Sequence, residues 1–142
     1  MSIPDLPGRL EMSTLDSPNI MEDGMQYLCL IYSDETMWPK MSKQDAESMM
    51  AEYMAFGAKA KESGHYVGGN RLQPTHTATS VRIRDGKLST TDGPFAETKE
   101  QLGGYYLIEA KDLNDAIQVA SRIPGARVGT IEVRPIAPVP PR

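Results

Sequence analysis

Asp92-Gly93-Pro94-Phe95-Ala96-Glu97-Thr98-Lys99-Glu100-Gln101-Leu102-Gly103-Gly104 sets turn formers, four charged side chains and a glycine pair between two apolar strands. Turn residues of this kind punctuate a chain, and the segment parts two halves of similar pattern. Gly93 precedes Pro94 and is biased toward an extended backbone, so Asp92-Gly93 turns the chain out of the strand before it. Phe95 is expected to anchor the loop in apolar surroundings. Thr98 with Gln101 three residues on has the form of a capping box, predicting a short helical turn over Lys99, Glu100 and Gln101. Gly103-Gly104 then releases the chain into a strand from Tyr105 to Ala110.

Upstream, strands Ser80 to Arg84 and Lys87 to Thr91 flank Asp85-Gly86, a strong hairpin signal. Before them, a strand from about His65 to Arg71 ends at a Gln73-Pro74 break. Ser42 with Asp45 marks a helix start, with Ala46, Met49, Met50, Tyr53, Gly57 and Ala60 on one face and Gly64 as the stop. The first strand is Met25 to Tyr32, joined to that helix by a loop through Asp34, Glu35, Trp38 and Pro39. Downstream, Asp112 caps a second helix with Leu113, Ala116, Ile117, Ala120 and Ile123 as its apolar face, ended by Pro124-Gly125. A last strand runs from about Arg127 to Arg134.

The order is β-α-β, hairpin, β-α-β, which predicts an α+β fold with a ferredoxin-like sheet carrying both helices on one face. Tyr27 to Tyr32 and Tyr105 to Ile108 are nevertheless apolar on both parities. Such strands are covered on both sides, and the simplest second cover is the same face of another copy. The expected state is a homodimer, unless the chain ends cover that face.

At 142 residues with 39% hydrophobic residues, the chain fits one domain. Residues 1–24, with Pro4, Pro7 and Pro18 and no sustained period, read as an N-terminal extension, either an appendage or an upstream start of a shorter protein. Residues 25–136 form the domain and residues 137–142 a Pro-rich tail of extended backbone. The whole net charge of −4 comes from Asp5, Glu11, Asp16, Glu22 and Asp23 against Arg9, while the acids and bases beyond residue 24 cancel. A neutral body without a basic stripe argues against nucleic acid, and the lack of a long apolar run argues against a membrane span. The lone Cys29, in an apolar strand, fits a reducing, cytoplasmic setting and reads as inert packing rather than a reactive thiol.

For chemistry, Asp92 and Glu97 are candidate general acids or bases, with His65 as a third candidate able to pair with Asp92 across the sheet. Arg71, Arg82, Lys99, Glu100 and Phe95 are the candidate substrate-binding residues, with Arg84 as another cation for an anionic group. The competing reading makes the loop a rigid platform, with Asp92 capping backbone amides and the other charges solvated. His65 and His76 are not in a ligand-spaced pair, so no metal is expected, and no organic cofactor either. Gly68-Gly69 reads as a bulge or close backbone approach. Trp38 is a lid over a cleft or a packing anchor.

The Asp92–Gly104 segment resembles, nearly residue for residue, the signature of DGPF-type proteins in the YCII-related family, and the likeness spans residues 25–136. It implies a dimeric α+β barrel in which two such sheets pack face to face. The leading functional reading of the residues is a small polar or anionic ligand bound in a cleft between sheet and signature loop, with acid-base chemistry of the proton-transfer, isomerisation or lyase type if the site is catalytic. The resemblance implies a rival, an accessory partner of an extracytoplasmic-function sigma factor, and a third reading is a stress or housekeeping binding module without catalysis. Better described relatives are proposed to use a His-Asp pair with the histidine near the first helix. Met41 to Ser63 contains no histidine, so that pair does not carry over.

Overall fold

The computed structural model describes residues 24–139. The predicted N-terminal extension, Gly24 excepted, and the last three residues of the tail lie outside the described residues. Strand β1, Met25–Ser33, is followed by a single helical turn α1, Met37–Lys40, and a long helix α2, Lys43–Glu62. Then come β2, Tyr66–Arg71, the hairpin strands β3, Thr79–Arg84, and β4, Lys87–Asp92, and β5, Gln101–Ala110. Helix α3, Leu113–Ala120, a 3-10 turn at Pro124–Arg127 and β6, Thr130–Pro135, complete the chain.

Both long helices start where side-chain oxygens meet free amides. The Asp45 amide donates to Ser42 Oγ at 3.0 Å and the Asp115 amide to Asp112 Oδ1 at 2.9 Å. The hairpin turn uses positive φ at both central residues, Asp85 at 53° and Gly86 at 75°, the twist that suits two antiparallel strands.

The fold is α+β with antiparallel sheets. The main sheet has the order β2-β5-β1-β6, and β3 and β4 form a separate two-stranded ribbon. The main-sheet order interleaves the two β-α-β halves, as the sequence pattern predicts. Tyr27 and Cys29 of β1 and Ile108 and Ala110 of β5 share a parity, and all are buried against Phe56 and Ala60 of α2 and Ala116, Val119 and Ala120 of α3. Both helices therefore pack on one face. On the opposite face Leu28 lies across from Leu107 and Leu30 from Tyr105, all half-buried. No helix among the described residues is long and apolar enough to cross a membrane.

Several expectations need correction. β5 begins at Gln101, so Gly103 and Gly104 lie inside the strand rather than before it. The predicted helical turn over residues 99–101 is absent: Thr98 Oγ1 donates to the Glu100 carbonyl and Gln101 Nε2 to the Thr98 carbonyl, which holds a turn without a helix. The 3-10 turn after α3 delays the last strand to Thr130. The core face of α2 includes Phe56, while Met50 is 42% exposed. That of α3 is Ala116, Val119 and Ala120 running into Ile123, which leaves Leu113 and Ile117 outside.

Candidate ligand-binding cavity

Two close backbone approaches shape the helix side of the sheet around β2 and β5. A Cβ on Gly69 would lie 2.7 Å from Tyr106 Cδ1 and 2.8 Å from the Tyr105 carbonyl oxygen, so only glycine lets the Tyr106 ring lie there. Across the strand pair, a Cβ on Gly104 would meet the Asn70 carbonyl oxygen at 2.9 Å. The register shifts by one residue at each glycine pair, with Val67 and Gly103 the extra residues, and such bulges redirect neighbouring side chains. The close-approach reading of Gly68-Gly69 therefore holds at Gly69.

Above this lowered floor lies a cavity of about 320 Å³ between the sheet, α1 and α2. Tyr53, Tyr66 and Tyr106 supply aromatic walls, Met50 and Met54 a flexible apolar side, and Arg71 a charge. The Tyr106 ring packs 4.9 Å from Phe56 and 6.1 Å from Tyr66, centroid to centroid. Burial pushes the Tyr106 phenol up to about 12, and burial also raises Tyr53, so both keep their protons at neutral pH. A second cavity of about 340 Å³ adjoins the first, and Ser33, Trp38, Arg71 and Gly103 line both. Its other walls include Glu35, Gln73 and Gln101.

Trp38 and Arg71 stand where the cavities meet, the guanidinium 4.8 Å from the ring centroid. The guanidinium is held over the ring by cation–π attraction. Its edge carries the N–H donors, which make no hydrogen bond or ion pair within the described residues. Glu35 is held from the other side. Its backbone amide donates to Gln101 Oε1 at 2.9 Å, and its carboxylate accepts from the Thr75 amide at 3.0 Å and from the Thr75 hydroxyl. Those Thr75 bonds keep its carboxyl below the usual glutamate range.

Of the residues singled out in the sequence, Arg71 is at the cavity, and the signature segment contributes Gly103 and Gly104 rather than its charged tips. Asp92, Glu97, Lys99 and Arg82 are exposed and line neither cavity. The turn at Gly93 is held by its amide on the Ala78 carbonyl and by Ser80 Oγ donating to the Gly93 carbonyl, not by Asp92. Glu100 accepts from Thr130 Oγ1 at 2.9 Å, tying the loop to β6. Phe95 does not anchor the loop: it is 80% exposed, because no element among the described residues folds over the segment.

His65 pairs with Asp115, not Asp92. Its Nε2 lies 3.1 Å from Asp115 Oδ2, and its Nδ1 lies 2.7 Å from Ser63 Oγ. The arrangement has the residue types of a nucleophile, base and orienting acid. However, the amides of Ser63, Gly64 and His65 all donate to carbonyls at the end of α2, so none remains to stabilise an oxyanion beside Ser63. The array ties the end of α2 to the start of α3. His65 also lies at the far end of β2 from Arg71, roughly 20 Å of strand away. His76 acts on Glu35 instead, so the two histidines do not converge on one carboxylate.

The clamp has a pH signature. Burial alone would raise the Asp115 carboxyl, but the Lys111 amide and His65 outweigh it and hold the pKa below 3.8. A carboxyl depressed in the folded state adds stability that is complete above its unfolded pKa and lost as the pH falls through its folded one. Asp115→Asn should lower the unfolding free energy by about 1 kcal/mol at neutral pH, with the gap from wild type shrinking below pH ~4. Urea midpoints from about pH 3 to 7 check this, and a gap independent of pH would contradict it.

The residues that sequence reasoning missed are Tyr53, Tyr106 and Glu35 as cavity groups and Asp115 as the partner of His65. Paired glycines in two strands were the only local signal of the floor.

Comparison with known proteins places the chain in a family. The chain matches the family model of the YCII-related domain over residues 25–140. It is similar to an uncharacterized protein of Rhizobium meliloti (strain 1021), with 40% identity over 115 residues covering 80% of this chain and 93% of that protein. The match reaches from the first residue of β1 past the end of β6 and takes in every element that shapes the two cavities, and the chain belongs to the YCII-related family.

Proposed function

We propose that this protein binds a small organic anion with an apolar body in the aromatic cavity, Arg71 taking the anionic group. The observation that carries the reading is the Arg71 guanidinium: it lies over the Trp38 ring, has no hydrogen bond or ion pair among the described residues, and stands at a cavity walled by tyrosines and methionines. A concave, largely apolar site with few convergent polar groups suits a small ligand, and a fixed guanidinium suits a carboxylate or phosphate. The tyrosines serve as neutral walls and hydrogen-bond donors rather than as bases, which favours binding over turnover.

The same reading makes the protein a homodimer with the Leu28, Leu30, Tyr105 and Leu107 face covered by a second copy, closing an α+β barrel. Two features support it. That face is apolar with an ion pair, Arg134 with Glu132, on its edge strand. The β3–β4 ribbon exposes Val81, Ile83 and Leu88, and a two-stranded ribbon has little stability without something to pack on.

The test is calorimetric titration of the full chain with 3-phenylpropionate and 4-methylpentanoate. Arg71→Ala should raise the dissociation constant on the order of 10- to 100-fold, the loss of hydrogen bonds to a charged group. Equal affinity in wild type and variant would remove Arg71 from binding.

A further inference from the structure

Glu35 and Arg71 line the same cavity without pairing. The ion pairs among the described residues are His65 with Asp115, Arg127 with Glu52 and Arg134 with Glu132. Opposite charges facing one space usually close on each other unless something holds them apart. Here both are held: Arg71 by the face of Trp38, Glu35 by two hydrogen bonds from Thr75 and one from its own amide to Gln101. A carboxylate offers about four acceptor positions, so the Thr75 bonds leave about half of the Glu35 carboxylate open. Other charges act on it with opposite signs, His76 in favour of its ionised form and Asp34 against.

We propose that the ligand is a zwitterion: an α-amino acid with a large apolar side chain, its carboxylate on Arg71, its ammonium on Glu35 and its side chain in the cavity of Tyr53, Tyr106, Met50 and Met54. This rests on the anion-binding reading and adds the cationic half. An α-amino acid carries its two charges on groups one carbon apart and its side chain on that same carbon. Arg71 and Trp38, shared by both cavities, stand where that carbon would lie, with the carboxylate of Glu35 on one side and the apolar walls on the other. A simple organic acid would leave Glu35 facing its carboxylate, and like charges so placed weaken binding. Thr75 supplies specificity indirectly, since it keeps Glu35 ionised and aimed.

The test compares three matched pairs by calorimetry on the full chain: L-phenylalanine with 3-phenylpropionate, L-leucine with 4-methylpentanoate, and L-methionine with 4-methylthiobutanoate. In at least one pair the amino acid should bind about tenfold or more tightly than its deaminated partner, and Glu35→Gln should erase that preference by weakening the amino acid and relieving the repulsion on the acid. Acids that match or exceed their amino acids in all three pairs overturn the zwitterion and leave the anion site standing. Absence of binding by all six compounds overturns both. The wild-type comparison decides the matter even where Glu35→Gln disturbs the Thr75 contact.

Discussion

Gly129→Ala is expected to leave most of the chain unfolded under conditions where wild type is folded. The added Cβ would lie 2.1 Å from the Tyr32 carbonyl oxygen and 3.0 Å from Ser33 Cβ. Most of what it meets is backbone of β1, the strand that pairs with both β5 and β6, so it cannot swing aside as a side chain would. Overpacking against flexible neighbours costs about 1–3 kcal/mol, and a rigid contact this short should exceed that range, against a total stability of about 5–15 kcal/mol. Gly57 gives the opposite case within the same chain. It lies inside α2, and a Cβ there meets nothing within 4 Å. Gly57→Ala should therefore stabilise by roughly 0.5–1 kcal/mol, the usual helix preference for alanine. Urea unfolding followed by circular dichroism reads both, and a Gly129→Ala midpoint equal to wild type would show that β1 and the turn before β6 can part cheaply.

The second large effect concerns the open sheet face. Leu28→Asp is expected to convert the proposed dimer to monomer. Leu28 lies opposite Leu107 near the middle of the face away from the helices. In a two-fold interface each substitution occurs twice, so two carboxylates would be buried without partners. At several kcal/mol each, the dimer dissociation constant should rise on the order of 10⁴-fold. Sedimentation velocity at micromolar protein would show the shift. A dimer persisting in Leu28→Asp, or a wild-type monomer, would place the interface elsewhere or remove it.

Local chemistry made much of the fold legible in the sequence. The Ser42 and Asp112 caps, the Asp85-Gly86 turn and the two β-α-β halves depend on residues close along the chain, and the structure has them where the pattern puts them. The helix faces were less legible because α2 serves two environments. Met50 and Met54 face the cavity while Phe56 enters the core, so apolar residues occupy more of the helix than one buried stripe. The start of β5 was misread because Gly103-Gly104 resembles a release from a turn, whereas the pair is needed for a bulge and a close approach inside a strand.

The candidate site was legible only in part, because its geometry is non-local. Arg71 could be named as an anion-binding candidate, but its stack on Trp38 joins positions 33 residues apart. Glu35 looked like a loop acid until the Thr75 turn folded against it, and Asp115 reaches His65 across 50 residues of chain. The charged signature tips drew attention in the sequence because they are dense in functional side chains. The fold instead uses that segment for its glycines.

Cys29 sits wholly buried at the centre of β1, its thiol pushed up to about 11 by burial. Thiolate is the form that oxidants and electrophiles attack, so the native protein offers them almost nothing. The single sulfhydryl thus becomes a record of the molecule's history. A chain found oxidised or alkylated at this position has lost its central strand packing at some moment, and the added atoms, with no room between the helices and the sheet, would bar its return to the native fold.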